Sequence, residues 1–172
     1  ILRPMKKQLL MNNYVIVLAL AVAGLALFSR TAANSFISLD DPTYITENPV
    51  VREGLTAQGI AWAFTSTYAE NWHPLTWLSH MLDIQIFGLS AGGHHLVSAL
   101  LHTLNSVILF FVLWIMTGKS LRSAFVAALF LVHPLHVESV AWASERKDVL
   151  CTFFSLLTVW AYVRFAERSA AR

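Results

Sequence analysis

Four stretches of the chain are apolar over bilayer-sized lengths, and polar residues break the pattern between them. Leu9–Phe28 ("LLMNNYVIVLALAVAGLALF") carries no charge. Leu96–Met116 ("LVSALLHTLNSVILFFVLWIM") is the second stretch. Ser123–Ala143 ("SAFVAALFLVHPLHVESVAWA") is the third, interrupted by His133, Pro134, His136 and Glu138. Val149–Val163 ("VLCTFFSLLTVWAYV") is the fourth, short and open to extension at either end. A hydrocarbon core takes about 20 apolar residues as helix. The pattern therefore predicts an all-α, polytopic membrane protein with about four transmembrane helices. Lys6 and Lys7 before the first stretch also suit a signal peptide. A small-residue cleavage site occurs only around Thr31–Asn34, and further spans follow, so the first stretch is read as a retained helix. Pro134 has no N–H and is expected to kink or end the third helix.

The connection over 29–90 is long but patterned. "GLTAQGIAWAFTSTY" (54–68) reads as a short helix with Thr56 as N-cap and Ile60, Ala61 and Phe64 on one face. "HPLTWLSHMLDIQIFG" (73–88) reads as another, with Pro74 in the first turn. Both are too short to span, so they are predicted to be interfacial, with Trp62, Trp72 and Trp77 at headgroup depth.

Composition and charge sharpen this layout. Of 172 residues, 56% are hydrophobic and 13% charged, where a soluble domain has about 25% charged. Arg3, Lys6, Lys7, Lys119, Arg122, Arg164, Arg168 and Arg172 fall on one side of the predicted spans, with Glu167 as the sole acid. The other side holds the remaining nine acids. The positive-inside rule makes the basic side cytoplasmic. Asp40, Asp41, Glu138, Glu145 and Asp148 then share the outer face, with both chain ends inside. One cysteine, Cys151, excludes an internal disulfide. The first residue is Ile1, Met5 and Met11 are alternative starts, and "RFAERSAAR" follows an apolar run. A piece of a longer protein is expected.

Three constellations are candidates for chemistry. In "SLDDP" (38–42), Pro42 biases Asp41 toward extended backbone, which would aim the carboxylates of Asp40 and Asp41 apart. One carboxylate could face a substrate while the other binds backbone or water. An ordinary Asp-Pro turn is the competing reading. "HPLHVESVAWASERKD" (133–148) gathers seven ionisable residues at the end of a span. His133, His136 and Glu138 have the chemistry of metal ligands, without the H-E-x-x-H spacing of zinc proteases. Arg146 and Lys147 suit a phosphate, by bidentate hydrogen bonds and as a point charge. A solvated loop with Glu145, Arg146, Lys147 and Asp148 in local pairs competes with both ideas. Third, His95, Ser98, His102 and Asn105 share one face of the second span, which should look into the bundle for interhelical hydrogen bonding. His94 sits at the outer end and can join the loop.

"LDDPTYITENPVVREGLTAQGIAWAFT", "NWHPLTWLSHMLDIQIFGLSAGGHHLVSALLH" and "HPLHVESVAWASERKDVLCTFF" resemble the membrane part of bacterial tetratricopeptide-repeat membrane proteins. These in turn resemble the eukaryotic transmembrane-and-tetratricopeptide-repeat O-mannosyltransferases, of GT-C fold. The resemblance covers roughly 36–165. It implies a glycosyltransferase that moves a sugar from a polyprenyl-phosphate donor to a protein Ser or Thr hydroxyl on the outer face. It assigns Asp40 and Asp41 to the acidic motif of the first outer loop, and Glu138 and Asp148 to the second. A carboxylate would act as base, and Arg146 and Lys147 would steady the departing phosphate. His73, His133 and His136 are supporting polar candidates, and a divalent metal is left open. The expected partners are the lipid-linked donor, an acceptor protein and the bilayer, with no nucleic acid. The expected setting is a bacterial inner membrane, with the N-terminus cytoplasmic and the acidic loops periplasmic.

The family has more than four spans, followed by a helical repeat domain, and no 34-residue repeat occurs here. The chain (1–172) is accordingly expected to be a single membrane domain, the N-terminal piece of a GT-C-like module, inactive alone. Three other functions compete. A transporter segment would use Asp40, Glu138 and the histidine stripe as an ion path, although most acids lie in loops. A silent membrane anchor for a repeat scaffold would be indifferent to loss of Asp40 and Asp41. A metal-dependent hydrolase would rest on His133, His136 and Glu138 alone.

Overall fold

The computed structural model describes residues 7–170. Ile1, Arg3, Met5, Lys6 and Arg172, which entered the sequence reading, lie outside them. The described residues form helices and no strand: α1 (Lys7–Phe28), α2 (Pro49–Arg52), α3 (Ala57–Thr65), α4 (Pro74–Phe87), α5 (Ala91–Thr117), α6 (Ser120–Val132), α7 (Val137–Ala141) and α8 (Arg146–Ala170). Three segments are long and apolar enough to cross a membrane: Asn12–Ala33, Ala91–Thr117 and Ala143–Ser169. The third predicted span is a broken pair, Ser120–Val132 and Pro134–Ala141, bent by 50°. The break falls where expected: His133 is extended (φ −66°, ψ 128°) ahead of Pro134, as the proline ring requires.

Two spans begin earlier than hydropathy indicates. α5 starts at Ala91 because "GGHH" is polar yet helical. α8 starts at Arg146 and runs to Ala170, well beyond Val149–Val163. Asp148 in its first turn suits the positive end of the helix dipole. Gly118 ends α5 in the left-handed region (φ 67°) and donates its N–H to Trp114 O at 2.8 Å, a conformation that disfavours a Cβ.

α5 is the central post, packed by α1, α6 and α8. Leu20, Phe110, Ala127 and Leu131 form the core at one level of the bundle. Phe28, Ala99, Val140 and Val149 form it nearer the end where the long loop sits. The predicted inward stripe is buried along its length: His95, Ser98, His102 and Asn105 are all 3% exposed or less. Asn105 donates to Val149 O at 2.9 Å, joining α5 to α8, and the His102 ring lies 3.2 Å from Leu131 O.

The loop has its own core of Tyr44, Ile45, Val51, Ala63, Trp77, Met81 and Ala143. Thr56 caps α3 by accepting from Gly59 N–H at 2.9 Å, as read from the sequence. Asn48 caps α2 by accepting from Val50 and Val51. Ile60, Ala61 and Phe64 share one face of α3, as the spacing predicts, and that face is turned outward. Gly59 and Ala63 are buried, while Ile60, Ala61 and Phe64 are exposed. The small residues let α3 approach α4 closely, and a Cβ on Gly59 would stand 3.3 Å from Met81 Sδ. The bulky apolar residues are left facing outward, as on a helix at a membrane surface. Trp77 also departs from its predicted headgroup depth. It is fully buried, stacked on Tyr44 at 5.0 Å and edge-on to Trp62 at 5.3 Å, because the loop needs a large apolar side chain at its centre. Trp72 remains exposed.

Candidate functional site

The loop, α7 and the first turn of α8 meet at one end of the bundle, and most of the candidate residues lie there. Asp41 is fully buried, whereas Asp40 is exposed. Asp41 Oδ2 accepts from Ile37 N–H at 2.8 Å, and its Oδ1 accepts from Ser144 N–H at 3.0 Å. One carboxylate therefore ties the loop to the approach to α8. One carboxylate of the pair binds backbone, as one branch of the sequence reading has it, but the backbone conformation departs from that reading. Asp41 is helical (φ −57°, ψ −35°), not extended. The two hydrogen bonds to its carboxylate and the Tyr44 N–H to Asp40 O bond (2.9 Å) hold a helical turn against the proline bias.

Arg146 and Lys147 divide in the same way. Arg146 is fully buried. Its guanidinium donates to Asp83, to Ser79 Oγ at 2.8 Å, to His94 O at 2.5 Å and to Ser98 Oγ at 3.2 Å. Four of its five N–H groups are thereby engaged by protein, and the interior position is the opposite of what a phosphate clamp requires. Burial raises the Asp83 pKa to about 6, outweighing the Arg146 charge. Lys147 is only partly buried. It donates to Glu145 at 2.7 Å, and its Nζ lies 5.7 Å from the centre of the Tyr44 ring. Burial raises the Tyr44 pKa; Lys147 opposes that shift, while Asp40 and Glu145 add to it. Asp40, Lys147 and Glu145 thus all act electrostatically on one phenol.

Two cavities flank the start of α8. A groove of about 570 Å³ is lined mainly by apolar residues such as Phe64, Trp72, Leu75 and Phe154, with His73, Thr76, Lys147 and Asp148 as its polar members. His73 lies against Trp77 (4.6 Å between rings), and its Nε2 is buried with no hydrogen-bond partner among the described residues. Burial and then Lys147 lower its pKa. A smaller cavity of about 320 Å³ is lined by His102, Asn105, His136, Ser139 and Asp148, among others. Asp148 borders both cavities and accepts from Ser139 Oγ at 3.2 Å.

Of the remaining candidates, only His136 shares a cavity with these, the smaller one that Asp148 also borders. Glu138 and His133 are exposed, and His133 Nδ1 accepts from Leu135 N–H at 3.3 Å. The His136 ring lies 4.5 Å from Phe130 and 5.9 Å from His133. Among the described residues, the group whose metal-ligating atoms converge is His80, Asp83 and His94, not His133, His136 and Glu138. The sequence reading missed Asp83. The available signal was its place as the lone acid of "HPLTWLSHMLDIQIFG", on one helical face with Ser79 and His80. It also missed Tyr44, which no spacing rule marks.

Comparison with known proteins gives one consistent group of relatives. The chain is 32% identical to the protein O-mannosyl-transferase TMTC1 of Mus musculus over 164 residues, covering 88% of this chain and 17% of that protein. It is 34% identical to TMTC1 of Homo sapiens over 161 residues, 87% of this chain and 18% of that protein. It is 28% identical to the protein O-mannosyl-transferase TMTC2 of Homo sapiens over 147 residues, 82% of this chain and 18% of that protein. The chain thus spans less than a fifth of the length of these relatives. No family model and no solved structure matches it. The resemblance read from the sequence is matched: most of this chain is similar to protein O-mannosyl-transferases.

Proposed function

We propose that this chain carries part of the site of a GT-C type glycosyltransferase. The enzyme would move a sugar from a polyprenyl-phosphate donor to a protein Ser or Thr hydroxyl, at the outer face of a membrane. The observation that carries the reading is the 570 Å³ groove, apolar along its wall and furnished with Lys147, His73 and Asp148. An isoprenoid chain needs an apolar wall, and its phosphate needs a cation nearby. The Lys147 ammonium has three donors, one of which goes to Glu145. The unpartnered His73 Nε2 is a further group for a bound phosphate or sugar. The relatives' names as protein O-mannosyl-transferases support the same class.

In this reading Asp40 is the base, because its carboxylate is exposed while that of Asp41 is engaged. The acceptor oxygen attacks the anomeric carbon and its proton passes to Asp40. The bond from that carbon to the phosphate oxygen breaks, with its electron pair leaving on the polyprenyl phosphate. A single displacement inverts the anomeric centre. Asp41 positions the turn that presents Asp40. Arg146 fixes the first turn of α8, from which Lys147 and Asp148 project, rather than holding phosphate itself. Glu138, His133 and His136 would line the approach of the acceptor. The orientation proposed from the charge map places these groups outside a bacterial inner membrane, with the N-terminus cytoplasmic. The whole of 1–172 is taken as one membrane domain of a longer protein with a repeat domain.

The test uses the longest natural protein containing this sequence. Purified Asp40→Asn, Lys147→Gln and Glu138→Gln variants are compared with wild type for sugar transfer from polyprenyl-phosphate donors to peptides. Asp40→Asn should lower turnover by about 10²–10⁴, the range of a lost general base, with donor binding kept. Lys147→Gln should weaken donor binding. A second reading, a silent membrane anchor, draws on the internal engagement of Asp41 and Arg146. It gains if wild type neither binds nor consumes any donor.

A further inference from the structure

We propose that His80, Asp83 and His94 hold a divalent transition-metal ion, zinc by chemical preference, that staples the loop helix α4 to the span α5. The three residues are each 2% exposed or less, and their ligating atoms lie within 4.8 Å of one another. The separations are specific. His80 Nδ1 stands 3.4 Å from His94 Nδ1, and His94 Nδ1 stands 3.3 Å from Asp83 Oδ2. Ligands about 2.0–2.1 Å from a tetrahedral zinc stand about 3.3–3.4 Å apart. The same distances are long for hydrogen bonds, which centre near about 2.9 Å. A hydrogen bond between the two imidazoles would leave His94 Nδ1 only one partner at a time, whereas a metal ion is met by both rings and the carboxylate together. Two imidazoles and a carboxylate are a donor set suited to zinc, with a fourth position for water.

The surroundings fit a metal centre as well. Arg146 donates to Asp83 Oδ2, the same oxygen that faces His94 Nδ1, so it orients the carboxylate toward the imidazoles and would share that oxygen with the ion. Ser79 and the His94 carbonyl hold the guanidinium in turn. The Phe36 ring packs edge-on to His94 at 5.4 Å, providing an apolar wall. The guanidinium draws on the same carboxylate charge, so the two imidazoles supply most of the affinity. His80 and Asp83 come from one face of α4 and His94 from the first turn of α5. The ion would close the short Gly88-containing turn between them. This inference is independent of the proposed glycosyltransferase activity, and its readouts are metal content and stability.

The longest natural protein containing this sequence is purified in detergent, incubated with Zn²⁺ and desalted, and zinc is counted by mass spectrometry. Co²⁺ is substituted in parallel, and its visible d–d absorption reports coordination. The proposal expects about one zinc per chain, a four-coordinate cobalt spectrum, and a lower melting temperature after chelation. His80→Ala and His94→Ala should each lose the metal. Because His94→Ala can disturb packing, His80→Gln is read beside it, with helix content checked by circular dichroism. Thr158→Ala, at an exposed position of α8 whose hydroxyl bonds only the Phe154 carbonyl, should keep the metal. Zinc at background in folded wild type overturns the proposal. So does zinc content unchanged in folded His80→Gln and His94→Ala, which would mark the binding as adventitious.

Discussion

Two neighbouring layers at the loop end of the bundle use the same residue types for different purposes. The inner layer contains Asp41, Asp83, Arg146, His94 and Ser98, all buried, with its aspartates and arginine engaged by protein. The outer layer contains Asp40, Lys147, Glu145, Asp148 and His73, partly or fully open and bordering the cavities or Tyr44. Two adjacent pairs straddle the boundary: Asp40 with Asp41, and Lys147 with Arg146. Sequence adjacency therefore says little about shared role. What sorts them is which member has its polar atoms satisfied inside. A buried carboxylate or guanidinium that loses its partner leaves an uncompensated charge, whereas an exposed one remains solvated and free to meet a ligand.

This contrast predicts a descending series of stability effects. The largest is Arg146→Leu, which strands Asp83 and should destabilise by about 3–5 kcal/mol, read as a lowered melting temperature or aggregation in detergent. Next comes Asp41→Ala, which orphans the Ile37 and Ser144 N–H groups and should cost about 2 kcal/mol. Protease accessibility of the loop at 29–90 should rise with it. Asn105→Leu removes the bond to the Val149 carbonyl and should cost about 0.6 kcal/mol, typical of a hydrogen bond between spans. Lys147→Gln loses a partly exposed pair with Glu145 and should change stability by about 0–1 kcal/mol. A Lys147 effect as large as that of Arg146 would erase the distinction between the layers. An Arg146 effect as small as that of Lys147 would do the same.

The sequence carried the long elements well and the contacts poorly. Spans follow from uninterrupted apolar runs, and the break at Pro134 follows from a missing N–H. The caps at Thr56 and the first-turn Pro74 are local, and both were legible. The inward stripe on α5 was legible because helical spacing alone puts His95, Ser98, His102 and Asn105 on one face. Two kinds of feature were hidden. One is pairing at long range: Asp83 and Arg146 are 63 positions apart, and nothing local joins them. The other is tertiary override of a local bias. Pro42 argues for an extended Asp41, but hydrogen bonds to Ile37 and to distant Ser144 hold it helical.

The most direct test of the account is a side-by-side comparison of Asp40→Asn and Asp41→Asn, made in the longest natural protein containing this sequence. Melting temperature and sugar transfer from a polyprenyl-phosphate donor are measured on the same samples. The account predicts that Asp40→Asn melts with wild type, within about 0.5 kcal/mol as for other exposed substitutions, yet loses transfer by about 10²-fold or more. Asp41→Asn should instead melt lower, with any loss of transfer following its loss of fold. Transfer at the wild-type rate by a folded Asp40→Asn protein would contradict the account. So would an Asp41→Asn protein that keeps full stability and alone loses transfer, for the inner carboxylate would then be the one that does the chemistry.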